Sequence, residues 1–281
     1  MSASRPLIAT PPLALPRYRS AYRHDPPQFN ALLGVAASGV VRVVGRNVSR
    51  FSPGDEVLTH SVPLQQGTWA ELFVAREEHV AHKPSTIGWS EAALFPVPAL
   101  TAHQVLSEAL AIKRGDALLI HGAGGVTGGM LVALASGMGA RVIATTSPRS
   151  VERVRGYGAN DIVDYHASDW QSQVRAASGG QLAAVANAVP GGASTLVAMV
   201  DDGGRLATIT GDPPEAERGI QVINYYVHPD GAALEQIAVR FAERGLSIPL
   251  TATYDLSSAD AALAEAVSGK TAGGIAINVR A

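Results

Sequence analysis

The chain has 281 residues, a formal net charge of −2, 47% hydrophobic and 16% charged residues, and no cysteine. The near-neutral balance gives no electrostatic reason to expect a nucleic acid or an anionic membrane as partner. The missing thiols exclude disulfides, thiolate catalysis, iron–sulfur clusters and cysteine zinc sites.

From Leu32 to His82 the chain shows short β runs broken by Gly and Pro: Gly39 to Val44, Glu56 to Leu58, Trp69 to Val74 and His79 to His82. With Pro53-Gly54-Asp55 as a turn, they read as a small antiparallel β unit. From Ser90, an expected cap, the pattern becomes helical and must bend or divide at Pro96 and Pro98. After Gly115-Asp116 come six strand-like runs: 117–121, 141–145, 161–164, 182–187, 205–210 and 220–225. Helical segments separate most of them, which specifies an α/β fold with a doubly wound parallel sheet, the Rossmann arrangement. A helix after Asp230-Gly231 places Leu234, Ile237, Ala238 and Phe241 on one stripe and stops at Gly245. Leu250 to Ala281 adds a strand, a helix from near Ser257 and a strand Ile275 to Val279, expected to return to the N-terminal unit. The expected divisions are therefore residues 1–100, 101–248 and 249–281. The most apolar stretch, Gly122 to Ala140, is too glycine-punctuated for a membrane span. Met1 to Pro16 is interrupted by Pro11, Pro12 and Pro16 and shows no clear cleavage site, so a cytoplasmic location is expected.

The most informative motif closes the first strand of the alternating region. Leu118-Leu119-Ile120-His121 runs into Gly122-Ala123-Gly124-Gly125-Val126-Thr127-Gly128, readable as G-x-x-G-x-x-G or as an imperfect G-x-G-x-x-G. Glycine here allows a sharp strand-to-helix turn, close approach of the backbone to a pyrophosphate, and tight packing of helix on strand. The helix N-terminus then turns its N–H groups and positive dipole end toward the phosphates. No charged residue follows before Gly139, as burial of that helix against a sheet requires.

The end of the second strand separates the two nicotinamide cofactors. NAD sites place an acid there for the ribose diol, yet between Ala117 and Val151 there is none. Thr145, Ser147 and Arg149, with Arg153 a turn further on, instead offer hydroxyls and guanidinium suited to a 2′-phosphate. NADPH is the expected cofactor; otherwise Arg149 and Arg153 are solvated helix-surface charges.

In order along the chain stand Leu33-Gly34, Ser38-Gly39-Val40-Val41, Val44-Gly45, Pro53-Gly54-Asp55-Glu56-Val57 and Gly67-Thr68-Trp69-Ala70-Glu71. Glu91-Ala92-Ala93 to Leu100-Thr101-Ala102, the glycine loop, Gly158-Ala159, Asp164-Tyr165, Gly203-Gly204-Arg205-Leu206, His228-Pro229-Asp230-Gly231 and Ser268-Gly269-Lys270-Thr271 follow. In this order and spacing the chain resembles the zinc-independent medium-chain dehydrogenase/reductases of the NADPH:quinone oxidoreductase type. The resemblance implies a GroES-like β domain beside the Rossmann domain, with cofactor and substrate in a cleft. It implies that Thr101 lies near the nicotinamide, that Gly122, Gly125, Val126, Thr127 and Gly128 hold the pyrophosphate, and that Tyr165 lies by the 2′-phosphate or simply packs at a strand end. Asn187-Ala188-Val189, Ile209-Thr210-Gly211 and Val227 would wall the nicotinamide half. Hydride transfer to a quinone or an α,β-unsaturated carbonyl compound follows as the expected reaction, without metal and with no catalytic side chain assigned. A small-molecule substrate is the implied partner, and a homodimer formed by sheet-edge pairing near Ile220 to Tyr226 is the implied assembly.

Zinc relatives carry Gly-His-Glu where this chain has Gly34-Val35-Ala36. His60, His103, His121 and His228 read as packed or hydrogen-bonded side chains, and His79 and His82, three apart in a strand, face opposite ways. Val35-Ala36-Ala37-Ser38-Gly39 is not a nucleophile elbow. Family members reach the Leu33-Gly34 position after several strands, whereas about thirty residues precede it here. Tyr18 and Tyr22, ahead of Pro26-Pro27, resemble the stretch with substrate-facing tyrosines, or form a surface arm. If the first strands are absent, the β domain is incomplete and its cleft wider. The expected roles are then a reductase for a bulky substrate, an NADP(H)-binding protein with a non-redox role such as cyclisation, or a non-enzymatic binding module.

Overall fold

The computed structural model describes residues 7–9, 33–62, 67–269, 271 and 273–279. Two compact units form, one from residues 1–100 with 228–281 and one from residues 101–227.

In chain order the first unit begins with β1 (Leu7–Ala9), β2 (Ala36–Val40), β3 (Glu56–His60) and β4 (Val80–His82). Helices α1 (Trp89–Leu94) and α2 (Pro96–Gln104) follow, and α2 runs into a π-helical turn, Val105–Ala109. Pro96 and Pro98 both fall in the first turn of α2, where no backbone N–H has an intrahelical partner to lose, so neither breaks the helix. The second unit continues with β5 (Ala117–His121), α3 (Val126–Gly137), β6 (Arg141–Thr146), α4 (Val151–Tyr157), β7 (Asp161–Asp164), α5 (Trp170–Ala177), β8 (Ala184–Asn187), α6 (Ala193–Val197), β9 (Arg205–Thr208) and β10 (Gln221–Asn224). The chain then returns to the first unit through α7 (Gly231–Glu243), β11 (Leu250–Asp255), α8 (Ala259–Val267) and β12 (Gly274–Val279).

The first unit's sheet runs β11-β12-β1-β2-β3-β4. β12 pairs parallel with β11 and antiparallel with β1, and β1 pairs antiparallel with β2. Its core gathers Trp69, Ala262, Ile275, Ile277 and Val279. β1 is an addition to the sequence reading: three residues ahead of Pro11-Pro12 are too few to show a period-two pattern. Conversely, Trp69 to Val74 is not a strand; Thr68 and Trp69 donate to Gly34 and Leu33 carbonyls, and Leu72 and Val74 are left exposed. Ser90 lies inside α1, whose N-cap is Gly88, so it is no cap. His79 belongs to a 3-10 turn, Glu77–His79, so it does not share a strand with His82.

The expected boundary at 248 also moves. α7 packs on β4: a Cβ on Gly231 would lie 2.3 Å from the Val80 carbonyl oxygen. Asp230 caps this helix by accepting from the Ala233 N–H at 2.9 Å. Its buried stripe of Leu234, Ile237, Ala238 and Phe241 is the expected one, and Phe241 meets Phe95 edge-on with ring centres 5.1 Å apart.

The second unit is the expected doubly wound sheet, all parallel, in the order β10-β9-β8-β5-β6-β7. Leu119, Ile143, Val163, Val185 and Leu206 form the sheet's share of a core closed by Val174 of α5 and Leu196 of α6. The charge-free α3 buries Gly128 through Ala133. From β5 the chain moves outward to β6 and β7, then crosses back to β8 on the other side. This reversal opens a crevice at the carboxyl ends of β5 and β8, where doubly wound sheets bind ligands. Among the described residues no helix is long and apolar enough to cross a membrane.

Candidate functional site

The crevice is built first from the glycine turn. Gly122 leaves β5 at φ +89°, a conformation L side chains rarely adopt. Its N–H donates to Thr145 Oγ1 at 3.2 Å, and the Ala123 N–H donates to the Thr145 carbonyl at 3.0 Å. Thr145 Oγ1 also lies 2.8 Å from His121 Nδ1. The hydroxyl oxygen accepts from Gly122, and either partner can be the donor in its bond to the His121 ring. Burial, which pushes the His121 pKa down, favours the neutral imidazole. The imidazole stacks on Trp170 at 5.3 Å.

The three glycine positions of the loop have different reasons. A Cβ on Gly128 would sit 2.1 Å from the Gly122 carbonyl oxygen, so α3 presses directly on the turn. A Cβ on Gly122 would meet Val189 Cγ2 at 2.6 Å. At Gly125 the nearest atom is 3.6 Å away and the residue is exposed: the protein has room there for a methyl group. Gly125 is also the N-cap of α3 and brings no capping side chain. The first amides of the helix, at Val126, Thr127 and Gly128, therefore begin it without intrahelical or side-chain caps, behind an open face.

At the end of β6, Thr145 is fully buried and its hydroxyl is engaged as described, so it holds the turn rather than facing a ligand. Ser147 and Arg149 follow, half-buried and exposed respectively. Among the described residues no carboxylate pairs with Arg149. Arg153 differs from the sequence expectation: its guanidinium donates to the Gly124 carbonyl and to Ser150 Oγ, so it braces the loop. One strand further out, Tyr165 follows β7, exposed, with its ring 4.1 Å from that of His166.

Across the crevice a network that sequence reasoning missed joins β8 to β9. The Asn187 amide, fully buried, donates to the Val189 carbonyl, Thr208 Oγ1 and Thr210 Oγ1, each at 3.0 Å, while Oδ1 accepts from the Val189 N–H at 3.1 Å. Asp212 accepts from Thr210 Oγ1 and from the Gly191 N–H. Its carboxyl is pushed up by desolvation but more strongly down by the Thr210 and Gly191 hydrogen bonds, and ends below the usual carboxylate range. The available signal was Thr208-x-Thr210-x-Asp212, three polar groups at strand spacing. Ile209 and Gly211 lie within this segment, with Gly211 at φ +74°. Thr101 is buried on α2 and Val227 follows β10, and neither enters these hydrogen bonds. Tyr18 and Tyr22 lie outside the described residues.

A cysteine-free chain offers no zinc thiolate, and among the described residues no three His, Asp or Glu side chains are grouped to hold a metal ion. Among the described residues the donor set does not fit a resident zinc.

Residues 157–277 match a family model described as zinc-binding dehydrogenase. The mouse (Mus musculus) protein "NAD(P)H oxidoreductase RTN4IP1, mitochondrial" is 34% identical over 152 residues, 53% of this chain and 38% of that protein. The match thus spans well under two thirds of that relative. A "Chloroplast envelope quinone oxidoreductase homolog" of Arabidopsis thaliana is 28% identical over 90% of this chain and 81% of its own. A solved NAD-dependent alcohol dehydrogenase superposes with TM-score 0.80 at 25% identity, covering 99% of this chain and 91% of its own. The fold is that of the medium-chain dehydrogenase/reductases, a Rossmann unit with a GroES-like unit. Over most of its length the sequence is similar to that quinone oxidoreductase homolog.

Proposed function

We propose that the chain is an NADPH-dependent oxidoreductase that reduces a quinone or an α,β-unsaturated carbonyl compound without metal. The observation that carries this reading is the open face at Gly125 before the uncapped helix α3, with Arg149, which no carboxylate pairs among the described residues, just after the neighbouring strand. The Val126, Thr127 and Gly128 amides donate to the pyrophosphate. Arg149 and Ser147 bind the 2′-phosphate, with Tyr165 beside it. Val189, Ile209 and Gly211, with Thr101 and Val227, wall the nicotinamide half, and the Asn187 network holds the first three in place. When bound, the cofactor supplies the hydride; the chain orients it and excludes water. The substrate is a small molecule, the working form a cytoplasmic homodimer, and no nucleic acid or membrane takes part.

The test is a fluorescence titration of NADPH and NADH against the protein and Arg149→Ala. Loss of a charge-assisted bond should weaken NADPH roughly tenfold or more and leave NADH nearly unchanged. Equal weakening of both removes the 2′-phosphate role. NADPH binding without oxidation by any member of a quinone and enone panel removes the redox reading.

A further inference from the structure

The glycine loop contains one peptide unit that its own sequence leaves free to turn. Rotation of the Gly124–Gly125 peptide changes ψ of the first residue and φ of the second, and both are glycine, so no Cβ resists it. Nothing larger fits at the first position: a Cβ on Gly124 would lie 2.6 Å from Thr146 Oγ1 and 3.2 Å from Ser150 Oγ. This is also the peptide through which the chain enters α3, because Gly125 is that helix's N-cap.

The peptide is tied at both ends. The Gly125 N–H donates to the Gly122 carbonyl at 3.1 Å, and the Gly124 carbonyl accepts from Arg153 Nη2. The same nitrogen donates to Ser150 Oγ at 3.1 Å, and that serine is buried at the start of α4. The guanidinium is thereby held between the loop and its own helix. Among the described residues no carboxylate pairs with it, so its charge is spent on the carbonyl, and a bond from an ionised donor is roughly twice as strong as a neutral one.

We infer that Arg153 is a positioning residue for the cofactor's pyrophosphate, acting through the Gly124–Gly125 peptide and indifferent to the 2′-phosphate. Fixing that peptide sets the direction of the Val126, Thr127 and Gly128 amides before a cofactor arrives, which lowers the ordering cost of binding. Arg149 and Arg153, one helical turn apart, thus divide the work: the first selects between dinucleotides and the second serves both. The inference rests on the reading of this loop as a pyrophosphate cradle.

Fluorescence titrations of NADPH and NADH into the full chain test it, with each variant shown to be folded by circular dichroism. Arg153→Met should weaken both dinucleotides by the same factor, about tenfold, and leave their affinity ratio at the wild-type value, whereas Arg149→Ala changes that ratio. Arg153→Lys keeps a charged donor for the Gly124 carbonyl and should recover most of the loss for both, a rescue that a role in helix packing alone would not give. Unchanged affinities in Arg153→Met, weakening of NADPH alone, or no recovery in Arg153→Lys overturns the inference. Should Arg153→Met not fold, Ser150→Ala carries the same test: removing the hydroxyl that holds the guanidinium should weaken both dinucleotides equally and severalfold, and unchanged affinities there overturn the inference as well. Wild-type protein that binds neither dinucleotide removes the cofactor reading itself, and this inference with it.

Discussion

The Thr145 hydroxyl sits where β5, its turn and β6 meet, accepting from Gly122 and hydrogen-bonded to the His121 ring. Thr145→Val keeps the shape and removes both bonds. The buried His121 ring and the half-buried Gly122 N–H then lose their mate, and a cost of about 2–4 kcal/mol is expected at about 1–2 kcal/mol for each; urea denaturation checks it. NADPH affinity should fall with it, because the turn is no longer pinned. His60 carries a pH prediction of defined sign. Burial first, then His79 and His228, lowers its pKa from 6.5 to about 4. The unfolded chain therefore takes up a proton before the folded one does. The associated stability is fully present above pH 6.5 and is lost as pH falls toward 4. The loss amounts to about 3 kcal/mol, and His60→Gln should flatten that part of the stability profile measured by denaturant midpoint.

At the scale of elements, the glycine loop separates two requirements that sequence alone joins in one motif. Gly128→Ala drives a methyl group into the Gly122 carbonyl, and overpacking of this kind costs about 1–3 kcal/mol or more. Gly125→Ala meets nothing closer than 3.6 Å, so its melting temperature should stay near wild type while NADPH binding weakens. If both variants lost stability equally, the open face at Gly125 would not be a ligand's space. The loop was legible because both of its demands, a left-handed turn and close approach, call for the same residue. The Asn187 to Asp212 network was not, since it depends on β8 lying beside β9, a choice made far away in sequence. Trp69 to Val74 was misread for a related reason: alternation reports a taste for extended structure, and only a partner strand makes it a ladder. The α7 stripe showed that the helix packs but not on what, and Gly231 against Val80 supplied the answer.

For the whole molecule, the alternation of six β runs was enough to specify the Rossmann unit, because each crossover is local and of fixed hand. β10 lies at one edge of that sheet; no described strand pairs with its outer side, which a second copy could extend. Sedimentation at low micromolar concentration should therefore give a dimer; a monomer there removes the proposed assembly. The first unit was harder to read, since its strands are drawn from both sides of the second. That arrangement has a consequence for biosynthesis. β12 is the bridge between β11 and β1, and the ribosome releases it only after all of residues 101–227 has emerged. The second unit, made from one continuous stretch, can fold while the chain is still being made; β1 must wait for a neighbour more than two hundred residues downstream. Nascent chains arrested just before β11 should thus already resist protease across the second unit while the segment ahead of it is still cut. The late closure of that sheet makes the opening hundred residues the part of this molecule most dependent on protection from aggregation during synthesis.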